Sequence, residues 1–133
     1  PDELPLLVRL SATDWIEGGW DIEQSVALAS ILHSRGVDLI DTSSGGNVHG
    51  VKIPVGPSYQ VEFAERIRDA GVPTGAVGLI TDSHQADDII RSGKSDLVII
   101  ARQLLRDPYW PLRAARELGV KIKWPAQYER ASD

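Results

Sequence analysis

The sequence predicts an α/β protein built on a parallel sheet, and three observations carry that prediction. Short β-branched apolar runs recur at residues 6–10, 37–40, 74–79 and 97–100. Each is nearly continuous rather than alternating in polarity, as expected of parallel strands covered on both faces. Each is followed by a stretch of helical periodicity with legible ends. Strand then helix, repeated four times along the chain, implies right-handed crossovers and a parallel sheet.

The first strand, residues 6–10, reads LLVRL and is interrupted only by Arg9. Its helix should start at Asp21, whose carboxylate can cap while Gln24 reaches back, and stop at Gly36 after the stripe Ile22, Val26, Ala29. The second strand, residues 37–40, leads through a long Gly- and Pro-containing loop to Ser58, placed to cap a helix that carries Val61, Ala64 and Ile67 and ends near Gly71. The third strand, residues 74–79, is weaker because Gly75 and Gly78 interrupt it, and its helix runs from about Ser83 through Ala86, Ile89 and Ile90 to Gly93. After the fourth strand, residues 97–100, Asp107 followed by Pro108 forms an N-cap and first-turn pair for a helix closed by Gly119.

Two architectures fit this repeat. An open doubly wound sheet would be complete at this length, whereas a (β/α)8 barrel needs about 250 residues and would be half present. A chain of 133 residues that begins at Pro1 and contains no methionine leans toward the half barrel. So do strand ends rich in glycine and polar residues.

Composition narrows the partners. With 42% apolar and 25% charged residues the chain reads as an ordinary globular protein. A net charge of −5, with Lys and Arg scattered among Asp and Glu, argues against nucleic acid. The lack of cysteine excludes a disulfide framework and thiolate chemistry. No run approaches the ~20 apolar residues of a membrane span, and a cytoplasmic location is expected.

Both architectures gather ligands at the carboxyl ends of their strands. Those ends carry Arg9, then Ser43, Ser44 and Gly45, then Gly78, then Ala101 and Arg102. Arg9, set among Leu6, Leu7, Val8 and Leu10, reads as a buried guanidinium that needs partners, either as an ion pair with Asp41 or Asp14 or as a donor to an anionic or electron-rich ligand. If the last two runs are strands seven and eight of a barrel, Gly78 and the Ala101–Arg102 corner mark the place where barrels bind phosphate, with Arg102 offering its fork of donors. No metal constellation is visible. His33 and His84 fall in helices and read as surface residues, while His49 lies in the long loop where a ligand might pass. The tail KWPAQYERASD has an interface-like composition.

The segments VRLSATDW, VDLIDTSSG, TGAVGLIT, ARQLLRDPYW and PAQYERA, in this order and spacing, resemble the Old Yellow Enzyme family, specifically its bacterial, thermophilic-like class of ene-reductases. The resemblance extends over practically the whole chain. It implies the C-terminal half of a (β/α)8 TIM barrel, strands five to eight, over residues 1–122, followed by a tail over residues 123–133. It implies FMN as cofactor and NADPH, or NADH, as reductant, with hydride passing from flavin N5 to an activated C=C bond of a small α,β-unsaturated carbonyl compound.

By position, Arg9 matches an arginine beside flavin N1 whose charge favours the anionic reduced ring. Ser43 and Gly78 match backbone positions at the FMN phosphate end, and Ala101 with Arg102 match the Gly-Arg pair that binds the phosphate, alanine standing for the usual glycine. Arg130 matches an arginine that reaches into a neighbouring subunit of an oligomer. No catalytic residue is assigned to this chain: the proton-donating tyrosine and the substrate-binding His/Asn residues belong to the N-terminal half of the barrel, which is the expected partner. Tyr59 and Tyr109 lie in expected helical segments and Tyr128 in the tail. The alternatives are a self-contained, non-catalytic doubly wound module and another FMN-dependent barrel, such as a dihydroorotate or inosinate dehydrogenase relative.

Overall fold

A computed structural model describes residues 3–132. Pro1, Asp2 and Asp133, the outermost residues of the expected half barrel and tail, lie outside the described residues. The elements run β1 (Leu7–Ser11), α1 (Ile22–Ser34), β2 (Leu39–Ser43), α2 (Val61–Asp69), β3 (Thr74–Ala76), α3 (Ser83–Arg91), β4 (Leu97–Val98), α4 (Arg102–Arg106) and α5 (Trp110–Glu117), then a 3-10 helix, Ala126–Ala131. The strands form one parallel sheet in the order β1-β2-β3-β4. No described helix is long and apolar enough to cross a membrane.

That order decides between the two architectures. A doubly wound sheet reverses its strand order and carries helices on both faces, whereas here each strand lies beside its predecessor and the helices share one face. Val8, Leu10, Ile40, Ala76, Val98 and Ile100 all point into two buried clusters with α1, α2, α3 and α5. Ile40 and Ile67 are wholly buried between β2 and α2. Strand residues of the other parity face away: Leu7 and Leu97 are about half exposed, at 50% and 49%. The fold is a half (β/α)8 barrel, with the sheet's inner face open among the described residues and α1, α2, α3 and α5 on the outer one.

Several ends differ from the sequence expectation. Asp21 does cap α1 in a capping box with Gln24, and Asp82 caps α3 in the same way with Gln85. Ser58 does not cap α2; its backbone is left-handed at φ 63°, its hydroxyl accepts from Gln85 Nε2, and the helix starts after Gln60. Strand β2 continues to Ser43 because backbone pairing with β1, Leu7 with Leu39 through Ser11 with Ser43, does not require apolar side chains. Strand β3 stops at Ala76, before the positive φ values of Gly78 and Leu79. Strand β4 stops at Val98 and the chain turns into α4, a helix too short to announce itself by periodicity. Helix α5 starts at Trp110, three residues after Asp107, whose backbone and side-chain oxygens accept from the Trp110 and Tyr109 amides. Tyr59 and Tyr109 accordingly lie in turns, not inside helices.

Candidate functional site

The carboxyl ends of β3 and β4 enclose a cavity of about 190 Å3 lined by Gly78, Leu79, Ala101, Arg102 and Arg106 among others. Its shape follows from local backbone. Gly78 adopts φ 123°, a conformation open to glycine. A Cβ there would lie 3.1 Å from Gln60 Nε2 and 3.2 Å from the Gln60 backbone nitrogen. Gln60, itself buried, also accepts from the Ser44 hydroxyl at 2.7 Å. The Gly78 carbonyl accepts from the Ser58 amide at 2.9 Å. The end of β2, the start of α2 and the end of β3 are thus tied together around one glycine.

The other wall is the turn from β4 into α4. Ala101 has a negative φ, −106°, so the turn does not require the left-handed freedom of a glycine here. Among the described residues the amides of Gly78, Leu79, Ala101 and Arg102 meet no acceptor. Arg102 and Arg106, both exposed and one helical turn apart, take part in no ion pair among the described residues. Asp107, next to Arg106 in the chain, is committed elsewhere: it holds Arg113. Free amides and two unneutralised guanidinium groups around a small hollow are a donor set of the kind an anion requires. The chemistry of this donor set fits a phosphate monoester such as the FMN terminus.

The β1–β2 end is different. Arg9 lies opposite Asp41 in the sheet register and donates from Nε to Asp41 Oδ2 at 2.7 Å, with Nη2 at 2.6 Å from the same oxygen. The guanidinium is not buried, as its apolar neighbours in sequence had suggested; its side chain is 55% exposed on the inner face, because strand alternation sends Val8 and Leu10 to the helices and Arg9 the other way. Ser43 donates its hydroxyl to the Leu10 carbonyl at 3.1 Å. Asp14, the other partner considered for Arg9, instead accepts from Asn47 and the Trp20 amide, which hold its pKa below the usual carboxylate value.

The structure therefore brings Gly78, Ala101 and Arg102 together, while Ser43 and Arg9 stand on the neighbouring strands without lining the cavity. Arg130 is exposed in the 3-10 helix of the tail and joins neither group. Tyr128 packs edge-on against Tyr109, ring centroids 5.7 Å apart, so the tail returns to its own domain there. His49 and His84 are exposed, and His33 Nδ1 sits 2.8 Å from the Val37 carbonyl. A larger hollow of about 680 Å3 between α5 and the tail is lined by none of the candidate residues. Sequence reasoning missed Arg106 and Gln60. The RQLLR spacing would have shown Arg106 on the same face as Arg102 had α4 been recognised; nothing in the sequence marks Gln60.

Residues 2–120 match the family model described as NADH:flavin oxidoreductase / NADH oxidase family. The NADPH dehydrogenase of Geobacillus thermodenitrificans is 53% identical over 127 residues, covering 95% of this chain and 37% of that protein. That of Halalkalibacterium halodurans is 51% identical over 128 residues, 96% of this chain and 38% of its own. That of Bacillus subtilis is 50% identical, covering 95% and 37%. The chain thus spans little more than a third of the length of these relatives. Dihydropteroate synthase of Xanthomonas albilineans, solved with 4-aminobenzoic acid, superposes with a TM-score of 0.51 at 18% identity over 97% of this chain and 51% of that one, a likeness of fold alone.

Proposed function

The chain belongs to the NADH:flavin oxidoreductase / NADH oxidase family, and from that membership we propose that it is the FMN-holding, C-terminal part of an NADPH-dependent ene-reductase. The observation that carries the proposal is the anion cavity at the ends of β3 and β4, where Gly78, Ala101 and Arg102 converge. The doubly wound alternative is excluded by the unreversed strand order, and identity near one half to NADPH dehydrogenases favours this activity over other FMN-dependent barrels.

Bound FMN supplies a flavin that takes hydride from a nicotinamide and passes it to an activated C=C bond. The residues of this chain bind and orient it. Arg102 and Arg106 would neutralise the phosphate, and the free amides of the β3 and β4 ends would donate hydrogen bonds to its oxygens. Gly78 keeps the approach clear of a side chain. The Ser43 backbone lies at the end of β2, beside that approach. Arg9, half exposed on the inner face of the sheet, would offer the ring the N–H groups that Asp41 leaves free. The proton donor and the residues that hold the substrate carbonyl come from the N-terminal half of the barrel, and Arg130 from the tail of a neighbouring subunit completes the substrate site.

The test combines this chain with the N-terminal half of the barrel and follows FMN retention and NADPH consumption with an enone such as 2-cyclohexenone. Flavin retention and enone-dependent turnover are expected. A folded, combined protein that retains no flavin overturns the proposal, and one that retains flavin but oxidises NADPH without consuming enone overturns its ene-reductase half.

A further inference from the structure

We propose that Asp41 is a positioning residue for Arg9, fixing the guanidinium on the inner face of the sheet and setting the net charge that the flavin ring meets; this rests on the FMN proposal above. The sheet register places Arg9, Asp41 and Gly75 in one row across β1, β2 and β3. Asp41 Oδ2 accepts from Arg9 Nε at 2.7 Å and lies 2.6 Å from Nη2. The Nη1 group donates to nothing among the described residues, and the side chain is 55% exposed.

Stability does not explain the pair. An ion pair whose arginine is 55% exposed contributes little to folding. Its carboxylate, by contrast, is 14% exposed, and Asp41 Oδ1 is buried and accepts nothing among the described residues. A buried, unpartnered carboxylate oxygen opposes folding. The surroundings accentuate this: Leu39 lies on the same face of β2, and Ile99 Cδ1 fills the space above Gly75, 2.5 Å from where a Cβ would stand. A charge kept in such a setting, with Arg9 its one hydrogen-bonding cation among the described residues, serves the arginine rather than the fold. An apolar side chain at this position would leave Arg9 free to swing and would leave its full positive charge beside the ring.

The test measures the flavin reduction potential and FMN affinity of the complete, FMN-loaded protein. Asp41→Asn keeps an acceptor for the guanidinium but removes the negative charge. Its potential is expected to rise, because Arg9 then favours the reduced ring without compensation, while FMN is retained. Asp41→Glu, which keeps the charge, is expected to hold the wild-type potential and serves where the Asn variant does not fold. An unchanged potential in Asp41→Asn, or a Glu variant displaced as far as the Asn variant, overturns the assignment. Wild-type protein that takes up no FMN overturns the FMN proposal itself, and this one with it.

Discussion

The two ends of the sheet's carboxyl edge are built on opposite plans. At β3 and β4, Arg102 and Arg106 have no carboxylate partner among the described residues and four backbone amides have no acceptor. At β1 and β2, Arg9 is held by Asp41, Ser43 by the Leu10 carbonyl and Ser11 by the Gly45 carbonyl. An unsatisfied cluster of donors is a site whose last partner is the ligand. A satisfied cluster is one whose geometry is set before the ligand arrives, and it can only tune or orient. The first end should therefore govern affinity and the second should govern the electronic character of what is bound.

The largest expected effect breaks the first end. Arg102→Ala removes a guanidinium with no ion-pair partner among the described residues, so the loss is expected to fall on the ligand. FMN binding should weaken by about 1.5–3 kcal/mol, roughly ten- to a hundredfold, as for a charge-assisted hydrogen bond. Fluorescence titration of the combined barrel measures it, with the thermal midpoint of the ligand-free protein expected to stay where it was. Equal affinity in wild type and variant would return Arg102 to being the solvated cap of a strand.

A smaller effect sharpens the boundary between the two ends. Gly78 stands at φ 123°, and a methyl there meets the Gln60 backbone nitrogen at 3.2 Å, which cannot rotate away as a flexible side chain could. Gly78→Ala should cost the ligand-free fold about 1–2 kcal/mol from backbone strain alone. Because Gln60 also holds Ser44, the disturbance should pass to the end of β2. Urea unfolding separates this from Arg102→Ala: the glycine variant loses stability as well as affinity, the arginine variant affinity only.

What the sequence made legible follows the same division. Periodic and capping signals act over a few residues, so Asp21 with Gln24, the core stripes through Ile40 and Ile67, and the glycine ends of helices could be read directly. The half barrel was legible as a class because four strand-helix units leave few topologies, and the strand order then selected one. Arg102 was visible as a polar residue at the end of an apolar run. The free amides and the second guanidinium grouped with it were not, since they depend on a turn at Ala101 and on a five-residue helix whose pattern is shorter than two turns. Arg9 was misjudged in burial because four apolar neighbours say nothing of which face a strand residue takes. Ser58 was misjudged because a left-handed serine in a turn looks, in sequence, like a cap.

The smallest effect tests why Arg102 and Arg106 remain unpaired. Arg113 occupies Asp107 and Glu117, and Glu117 also accepts from the Ser83 hydroxyl at 2.7 Å, joining α5 to the start of α3. The Ser83 hydrogen bond, followed by Arg113, holds the Glu117 carboxyl below its ordinary 4.5. A carboxyl whose pKa is lower folded than unfolded adds stability above the unfolded value, and that stability is lost as pH falls through the folded one. The window is therefore below pH 4.5. Glu117 and Arg113 are largely solvated, so the effect is small and screened by salt. Glu117→Gln should flatten the fall in urea midpoint on the acid side while leaving FMN affinity at neutral pH unchanged, because Glu117 does not line the cavity. An affinity gain or loss at neutral pH would mean that the acidic cluster reaches the arginines after all, and that the two ends of the sheet differ by degree rather than by plan.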